Sequence, residues 1–290
     1  MNLPRGGALA RALARLAERR TRGDVVATVV PRAPIGELSR EEVGVESFLP
    51  GGVLENALGS VYLHERLRSD IEPSKKKWGR YTVKRSSSAV LHEELEWFAL
   101  HGCESTVFFD LETCGLTNAT LFLAGTMHWN GTDYVVRQYF ARDYSEEGAL
   151  VDELTRFLAG FDTVVSYNGK SFDVPFLGDR AAMHGVPFTR PLRHVDLVHH
   201  ARRRWNGELP NCRLVTIEEH VCKRRRVGDV PSSEVPGLYH DYVKYGAAHR
   251  LIPVFHHNLL DVITMDEILR SLIADPASLA YSLEPLLEDL

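Results

Sequence analysis

The feature that most constrains this 290-residue chain is an apolar run, Thr106-Val-Phe-Phe-Asp-Leu-Glu, that ends in two acidic residues. Its Val and Phe residues favour a β-strand. Because side chains alternate between the two faces of a strand, Asp110 and Glu112 share one face while Leu111 points to the other. Two carboxylates buried together raise each other's pKa unless a cation lies between them. The run therefore predicts a divalent-cation site at the tip of a strand.

A third acidic residue follows a second apolar strand, in the segment Val164-Val-Ser-Tyr-Asn-Gly-Lys-Ser-Phe-Asp. The Asn-Gly pair predicts a turn, after which a helix begins near Asp173. Pro175 suits the first turn of that helix, where a missing N–H costs nothing. The helix dipole alone also favours an Asp at this position. Any functional role for Asp173 therefore rests on its occurrence together with the other acidic residues.

The fourth acidic residue closes the segment His256-His-Asn-Leu-Leu-Asp within a long helical pattern. At about 100° per residue, His257 shares the helix face of Asp261, whereas His256 is displaced by roughly 140°. Helix phase therefore favours His257 as the partner of Asp261. His256 stays an alternative if the helix is distorted at its start, near Pro253.

These three segments resemble the exonuclease motifs of the DEDD, or DnaQ-like, superfamily. The chain resembles the YprB-like ribonuclease H-like family more closely, from about residue 50 to about residue 272. Cys114 stands where such exonucleases commonly have a Thr, which leaves the acidic residues intact. The DEDD branches place a His five residues, or a Tyr four residues, before the last Asp, and this chain has a His at both spacings. The further segments that carry the resemblance are Val136-Arg-Gln-Tyr-Phe, Asp196-Leu-Val-His-His-Ala-Arg-Arg and Leu209-Pro-Asn-Cys-Arg-Leu.

The resemblance implies an α/β, ribonuclease H-like fold with a mixed central sheet of about five strands flanked by helices. It also implies a metal-dependent 3′-5′ exonuclease that hydrolyses DNA by a two-metal mechanism, in repair or processing. Two divalent cations, Mg²⁺ or Mn²⁺, suit oxygen ligands. The implied metal ligands are Asp110, Glu112, Asp173 and Asp261, with His257, or alternatively His256, as the general base.

Candidate substrate contacts form two groups. Near the acidic residues, Thr113, Asn168 and Lys170 are suited to contact a terminal nucleotide, although they are equally suited to turns. The second group lies in a basic segment of a chain whose net charge is −5. Between Arg202 and Arg226 there are eight Lys or Arg and three Glu, a local surplus of positive charge. Such a basic stripe either holds phosphates or is a solvated helix face. Its candidate residues are Arg202, Arg203, Arg204, Lys223, Arg224, Arg225 and Arg226.

Other functions remain open. The first alternative is an RNA-processing exonuclease, and the second is a non-catalytic nucleic-acid-binding module associated with a helicase. The retention of four acids and a histidine favours an enzyme. The resemblance also makes a helicase partner an expectation. Four cysteines without a C-x-x-C pair favour free thiols in a reducing compartment, here the cytoplasm. No apolar stretch reaches the roughly 18 residues that a membrane span needs.

The chain divides into three parts. Residues 1–100 are expected to form an N-terminal extension, partly irregular and either wrapping the core or mobile, since Pro and Gly punctuate it. Residues 101–275 form the expected ribonuclease H-like exonuclease domain. Residues 276–290 form an acidic C-terminal tail.

Overall fold

The structure, a computed structural model, describes residues 26–29, 44–73, 91–116 and 119–274. The predicted acidic tail, residues 74–90 and most of the first 43 residues lie outside the described residues. None of the helices in the described part is long and apolar enough to cross a membrane.

The centre of the fold is a seven-stranded mixed sheet in the order β2-β3-β6-β5-β4-β7-β8. The first five strands in this order pair antiparallel, and β7 and β8 add in parallel to β4. A separate parallel ribbon pairs β1 with β9. The strands are β1 Val26–Val29, β2 Gly52–Asn56, β3 Gly59–Leu67, β4 Thr106–Thr113, β5 Leu121–Trp129, β6 Tyr134–Phe140, β7 Thr163–Ser166, β8 Arg193–Asp196 and β9 Arg224–Val227.

The predicted mixed sheet is confirmed, but it has seven strands where about five were expected. The two additional strands, β2 and β3, lie within residues 1–100, which were predicted to be partly irregular. They form a hairpin whose turn is closed by Asn56, which accepts the N–H of Leu58 at 2.9 Å, and by Gly59 at a φ of +130°. The hairpin lacks an Asn-Gly turn and follows a Pro-Gly-Gly sequence, so no clear sequence signal marks these two strands. Residues 52–67 therefore belong to the sheet itself.

Helices cover both faces of the sheet. On one face, Phe108 of β4 packs in a core with helices α2, α5, α6 and α8, and on the other Phe109 and Leu111 pack against α3 and α4. The alternation predicted for β4 therefore holds, and it directs Asp110 and Glu112 towards the α8 side. The helices are α1 Arg68–Ile71, α2 Glu93–His101, α3 Glu147–Leu158, α4 Asp173–His184, α5 Leu197–Trp205, α6 Leu214–His220, α7 Val235–Tyr245 and α8 Ile252–Ile273.

A buried ion network ties the end of β3 to the long helix α8. The side chain of Arg68 is fully buried. It donates from Nη1 to Oδ2 of Asp266 at 2.5 Å and contacts Glu72 at 3.4 Å. Arg224 of β9 joins the same network, 2.8 Å from Glu72 and 2.7 Å from Glu267. These charges compensate one another inside the protein, where a single unpaired charge costs several kcal/mol.

Replacing Arg68 with Ala should therefore destabilise the protein by about 3–5 kcal/mol, because it leaves Asp266 and Glu72 short of a buried partner. Arg156→Ala is the matched control, since the side chain of Arg156 is 57% exposed beside Asp152 and Glu153; it should cost less than about 1 kcal/mol. Urea unfolding of both variants measures the difference. Equal losses would show that the buried network contributes no more than a surface ion pair.

Candidate functional site

The end of β4 and the middle of α8 together form an acidic pocket. Glu112 and Asp261 are buried, and Asp110 is partly buried beside them. Ligand atoms of Glu112, His257 and Asp261 all lie within 4.8 Å of one another. Three residues separated by up to 149 positions thus meet at one point, as the sequence predicted for Glu112 and Asp261.

Asp173 enters the same pocket from the start of α4. The backbone N–H of Leu111, between the two acids of β4, donates to Oδ1 of Asp173 at 3.1 Å. The preceding turn fits tightly against Asp173: a Cβ added to Gly169 would lie 3.1 Å from Oδ2 of Asp173 and 2.3 Å from Oγ of Ser166. Glycine is therefore required where the turn passes the carboxylate.

The pKa values of Asp110, Glu112 and Asp173 are all raised in this pocket. Burial raises the pKa of Asp110 well above its usual value, and the negative charges of Asp261, Glu112 and Asp173 raise it further. Burial, followed by Asp261 and Asp173, has the same effect on the pKa of Glu112. Burial also raises the pKa of Asp173 to about 7. Such a cluster of oxygen donors suits a hard divalent cation, which removes the repulsion.

The two histidines face different surroundings. Helix α8 starts at Ile252, with Pro253 in its first turn, so the helix is already formed at residue 256. Nε2 of His257 lies 3.5 Å from Oδ2 of Asp261. Nε2 of His256 is buried and has no hydrogen-bond partner among the described residues, and burial lowers the pKa of His256 to about 4. The structure therefore brings His257 to the acidic pocket, in agreement with helix phase.

Sequence reasoning missed Asp229, which holds His257 from the other side. Nδ1 of His257 lies 2.9 and 3.0 Å from the two carboxylate oxygens of Asp229. Burial by itself lowers the pKa of His257, but the charges of Asp261 and Asp229 outweigh burial and raise it. Asp229 is 28 residues from His257 in the chain, and no local pattern marks it.

Asn258 was also missed as an individual residue. Its Nδ2 donates to Oδ2 of Asp110 at 3.0 Å, and its Oδ1 accepts from Nε2 of Gln138 at 3.0 Å. Gly125 pairs with Asp110 across the sheet, and a Cβ there would lie 2.2 Å from Oδ1 of Asn258. The glycine within a strand and the polar Gln138 were available signals of a close approach. Together these three residues orient the carboxylate of Asp110.

The basic cluster on β9 differs from the prediction. Lys223 and Arg225 are exposed, but alternation along the strand turns Arg224 and Arg226 inward. Arg226 donates from Nε to Glu218 at 2.6 Å and from Nη2 to Asp261, and its guanidinium lies 3.3 Å from Asp229. The prediction of a phosphate-binding surface stripe is therefore wrong for Arg224 and Arg226, because buried acids hold both guanidinium groups.

The basic cluster on α5 is exposed to solvent, unlike Arg224 and Arg226 of β9. Arg202, Arg203 and Arg204 are all exposed. Arg203 contacts Nδ1 of His200 at 2.9 Å, and Arg204 pairs with Glu208 at 3.0 Å. A phosphate-binding role for these three residues stays a prediction.

The predicted nucleotide contacts near the pocket also have structural partners. Asn168 adopts a left-handed φ of +69°, and the N–H groups of Asn168 and Lys170 donate to Asp196 at 2.7 and 3.0 Å. The Nζ of Lys170 pairs with Glu94 at 2.9 Å. Thr113 donates from Oγ1 to the carbonyl of Gly115 at 2.7 Å, in a similar turn role. Their contacts to a nucleotide stay predictions.

A second group of possible metal ligands lies among the described residues: His92, Glu94 and His200. A metal-ligating histidine normally donates its other ring N–H to an acceptor. Here the other nitrogen of His200 faces the donor guanidinium of Arg203 at 2.9 Å, so this group suits a cation poorly. The carboxylate pocket is the better candidate.

The raised pKa of Asp173 makes metal-free stability depend on pH. A folded-state pKa of about 7 lies above the ordinary value near 3.8, so the wild type loses stability relative to Asp173→Asn as pH rises from roughly 4 to 7. Above this window the difference should be constant. Urea unfolding of both proteins in EDTA at several pH values measures it. If the difference in unfolding free energy between the two proteins stays constant from pH 4 to 8, the pKa of Asp173 is not raised.

Several known proteins are similar to this chain. Residues 107–273 match the RNase_H superfamily. The chain is 33% identical over 165 residues to the uncharacterized protein YprB of Bacillus subtilis (strain 168), a match that covers 54% of this chain and 39% of that protein. It is also similar to the family B DNA polymerase from the hyperthermophilic archaeon Pyrobaculum calidifontis, at 19% identity and a TM-score of 0.47, over 58% of this chain and 24% of the polymerase. The family match spans more than half of the sequence, which confirms the resemblance, and the chain belongs to the RNase_H superfamily.

Proposed function

We propose that this protein is a metal-dependent nuclease, and more specifically a 3′-5′ exonuclease that hydrolyses DNA. The observation that carries the proposal is the convergence of four carboxylates at the end of β4. Burial and the charges of Asp261, Glu112 and Asp173 all raise the pKa of Asp110. Burying several carboxylates together costs free energy, so carboxylates without a functional role are expected at the solvent-exposed surface.

Asp110, Glu112, Asp173 and Asp261 would hold the cations. Their donors are all oxygens, which suits Mg²⁺ or Mn²⁺ and not Zn²⁺. When bound, two such cations activate water and neutralise charge on the phosphate and the leaving oxygen. Asn258 contributes by fixing one oxygen of Asp110 through its 3.0 Å hydrogen bond, so that the other oxygen stays available.

His257 would accept the proton of the attacking water. Asp229 holds Nδ1 at 2.9 Å, which leaves Nε2 on the Asp261 side as the basic atom. This orientation is the requirement for a general base, since the accepting nitrogen must face the reacting water. Arg226 adds a fixed positive charge beside Asp261, where negative charge accumulates during hydrolysis of a phosphodiester.

Removing one charge from the pocket should abolish catalysis without unfolding the protein. Asp110→Asn keeps the shape of the side chain, so nuclease activity on end-labelled oligonucleotides with Mg²⁺ or Mn²⁺ should fall to the background. In EDTA the variant should unfold at a higher temperature than the wild type, because repulsion is relieved. Asp162→Asn, at an exposed carboxylate, is the control and should keep full activity. Wild-type activity in the Asp110→Asn protein would refute the assignment.

The two histidines provide an internal control for the base. His257→Ala should lower the single-turnover rate at saturating Mn²⁺ by about 10²–10⁴, the usual contribution of a general base. His256→Ala, one residue away on the same helix, should change the rate much less because its ring does not face Asp261. If His256→Ala shows the larger loss, the assignment of the base is wrong while the metal site stands.

The substrate and partners are separate questions. End-labelled single- and double-stranded DNA and RNA, tested side by side, distinguish a DNA exonuclease from an RNA-processing enzyme. Binding of nucleic acid without hydrolysis under every metal condition would favour the non-catalytic module. A helicase partner and a cytoplasmic location stay predictions.

A further inference from the structure

A groove lies between helix α2 and strand β8. Its cavity has a volume of about 490 Å³, and its lining includes Glu94, Trp97, Lys170, Arg193 and His194. Strand β8 is the edge of the sheet in the described part of the chain. The volume falls in the range of roughly 300–1,000 Å³ typical of ligand-binding clefts.

The groove adjoins the acidic pocket. Nε2 of His194 lies 2.7 Å from Oγ of Ser166. A Cβ on Gly169 would lie 2.3 Å from that same oxygen and 3.1 Å from the carboxylate of Asp173. Only Ser166 and the glycine turn therefore separate the groove from a predicted metal ligand.

The lining of the groove contains two cations, Lys170 and Arg193, and two acids, Glu93 and Glu94. The guanidinium carbon of Arg193 lies 4.4 Å from the ring centroid of Trp97, Arg193 is exposed, and no Asp or Glu of the described chain lies within ion-pair distance of it. By contrast, Lys170 and Glu94 neutralise each other at 2.9 Å. Stacking on Trp97 holds the planar guanidinium in place and leaves its donors for a ligand.

The predicted basic residues of α5 border this groove. Glu94 also contacts Nε2 of His200 at 2.8 Å, and Arg203 contacts Nδ1 of the same ring at 2.9 Å. Arg203 is thus linked to Glu94, a residue of the groove lining, through the ring of His200. A cation with free donors is what the phosphate backbone of a single strand of nucleic acid requires of such a groove.

We propose that this groove binds the single-stranded segment of the substrate that follows the nucleotide in the acidic pocket, with Arg193 as the phosphate contact and Trp97 as its support. This inference rests on the proposed function. A single strand fits because a cavity of this size holds one or two nucleotides and not a duplex. The open edge of β8 also offers room for a peptide strand, an occupant that would not depend on Arg193.

Oligonucleotide length gives the sharpest test. In the full chain with otherwise wild-type residues, Arg193→Gln should raise KM for a single-stranded 12-mer about fivefold, the effect of one solvent-exposed charge contact. It should leave kcat, and KM for a trinucleotide, unchanged. Trp97→Ala should give a loss of the same kind, because it releases Arg193. Arg250→Gln is the control, since Arg250 is also exposed and lies in another part of the chain, paired with Asp241 at 2.5 Å.

Binding provides the second measurement. With Asp110→Asn preventing cleavage, fluorescence anisotropy of the labelled 12-mer at several salt concentrations should show that Arg193→Gln flattens the salt dependence by a slope of about 0.7. If Arg193→Gln behaves like Arg250→Gln in both assays while the wild type degrades the 12-mer, the groove inference is overturned and the proposed function stands. Equal losses on trinucleotide and 12-mer would also overturn it. A wild type that neither binds nor cleaves any nucleic acid would refute the proposed function itself.

Discussion

Burying several carboxylates together costs free energy, and the ion pairs and hydrogen bonds around the acidic pocket offset that cost. The charges of Asp110, Glu112 and Asp173 lie near Asp261 in a pocket where burial already raises the pKa of the first three. The surrounding side chains supply compensating partners in a fixed geometry. A divalent cation bound in the pocket would complete the compensation, which is the physical reason for proposing a metal site there.

The compensation extends from the pocket across the protein. Arg226 contacts Asp261 and also Glu218, and Glu218 lies 3.7 Å from Arg224. Arg224 then meets the network of Glu72 and Glu267 that holds the start of α1. One chain of buried ion pairs therefore links a carboxylate of the acidic pocket to the region after β3. Strand β9, which carries both arginines, pairs with β1.

The sequence predicted the parts of the site that depend on local geometry. Alternation along β4 placed Asp110 and Glu112 on one face, and helix phase placed His257 beside Asp261, because both rules act within a few residues. Asp229 escaped prediction because its contact with His257 joins two elements far apart in the chain. The inward turn of Arg224 and Arg226 was equally hidden, since only the position of β9 decides which arginines face solvent. The β2–β3 hairpin was missed because its turn lacks a strong dipeptide signal.

The central claim is that the carboxylate pocket binds divalent cations, and anomalous X-ray diffraction from crystals soaked in Mn²⁺ tests it most directly. The account predicts an anomalous peak bounded by the carboxylates of Asp110, Glu112 and Asp261, which disappears in the Asp110→Asn protein. No peak in the pocket, or a peak only at the second group of His92, Glu94 and His200, would contradict it.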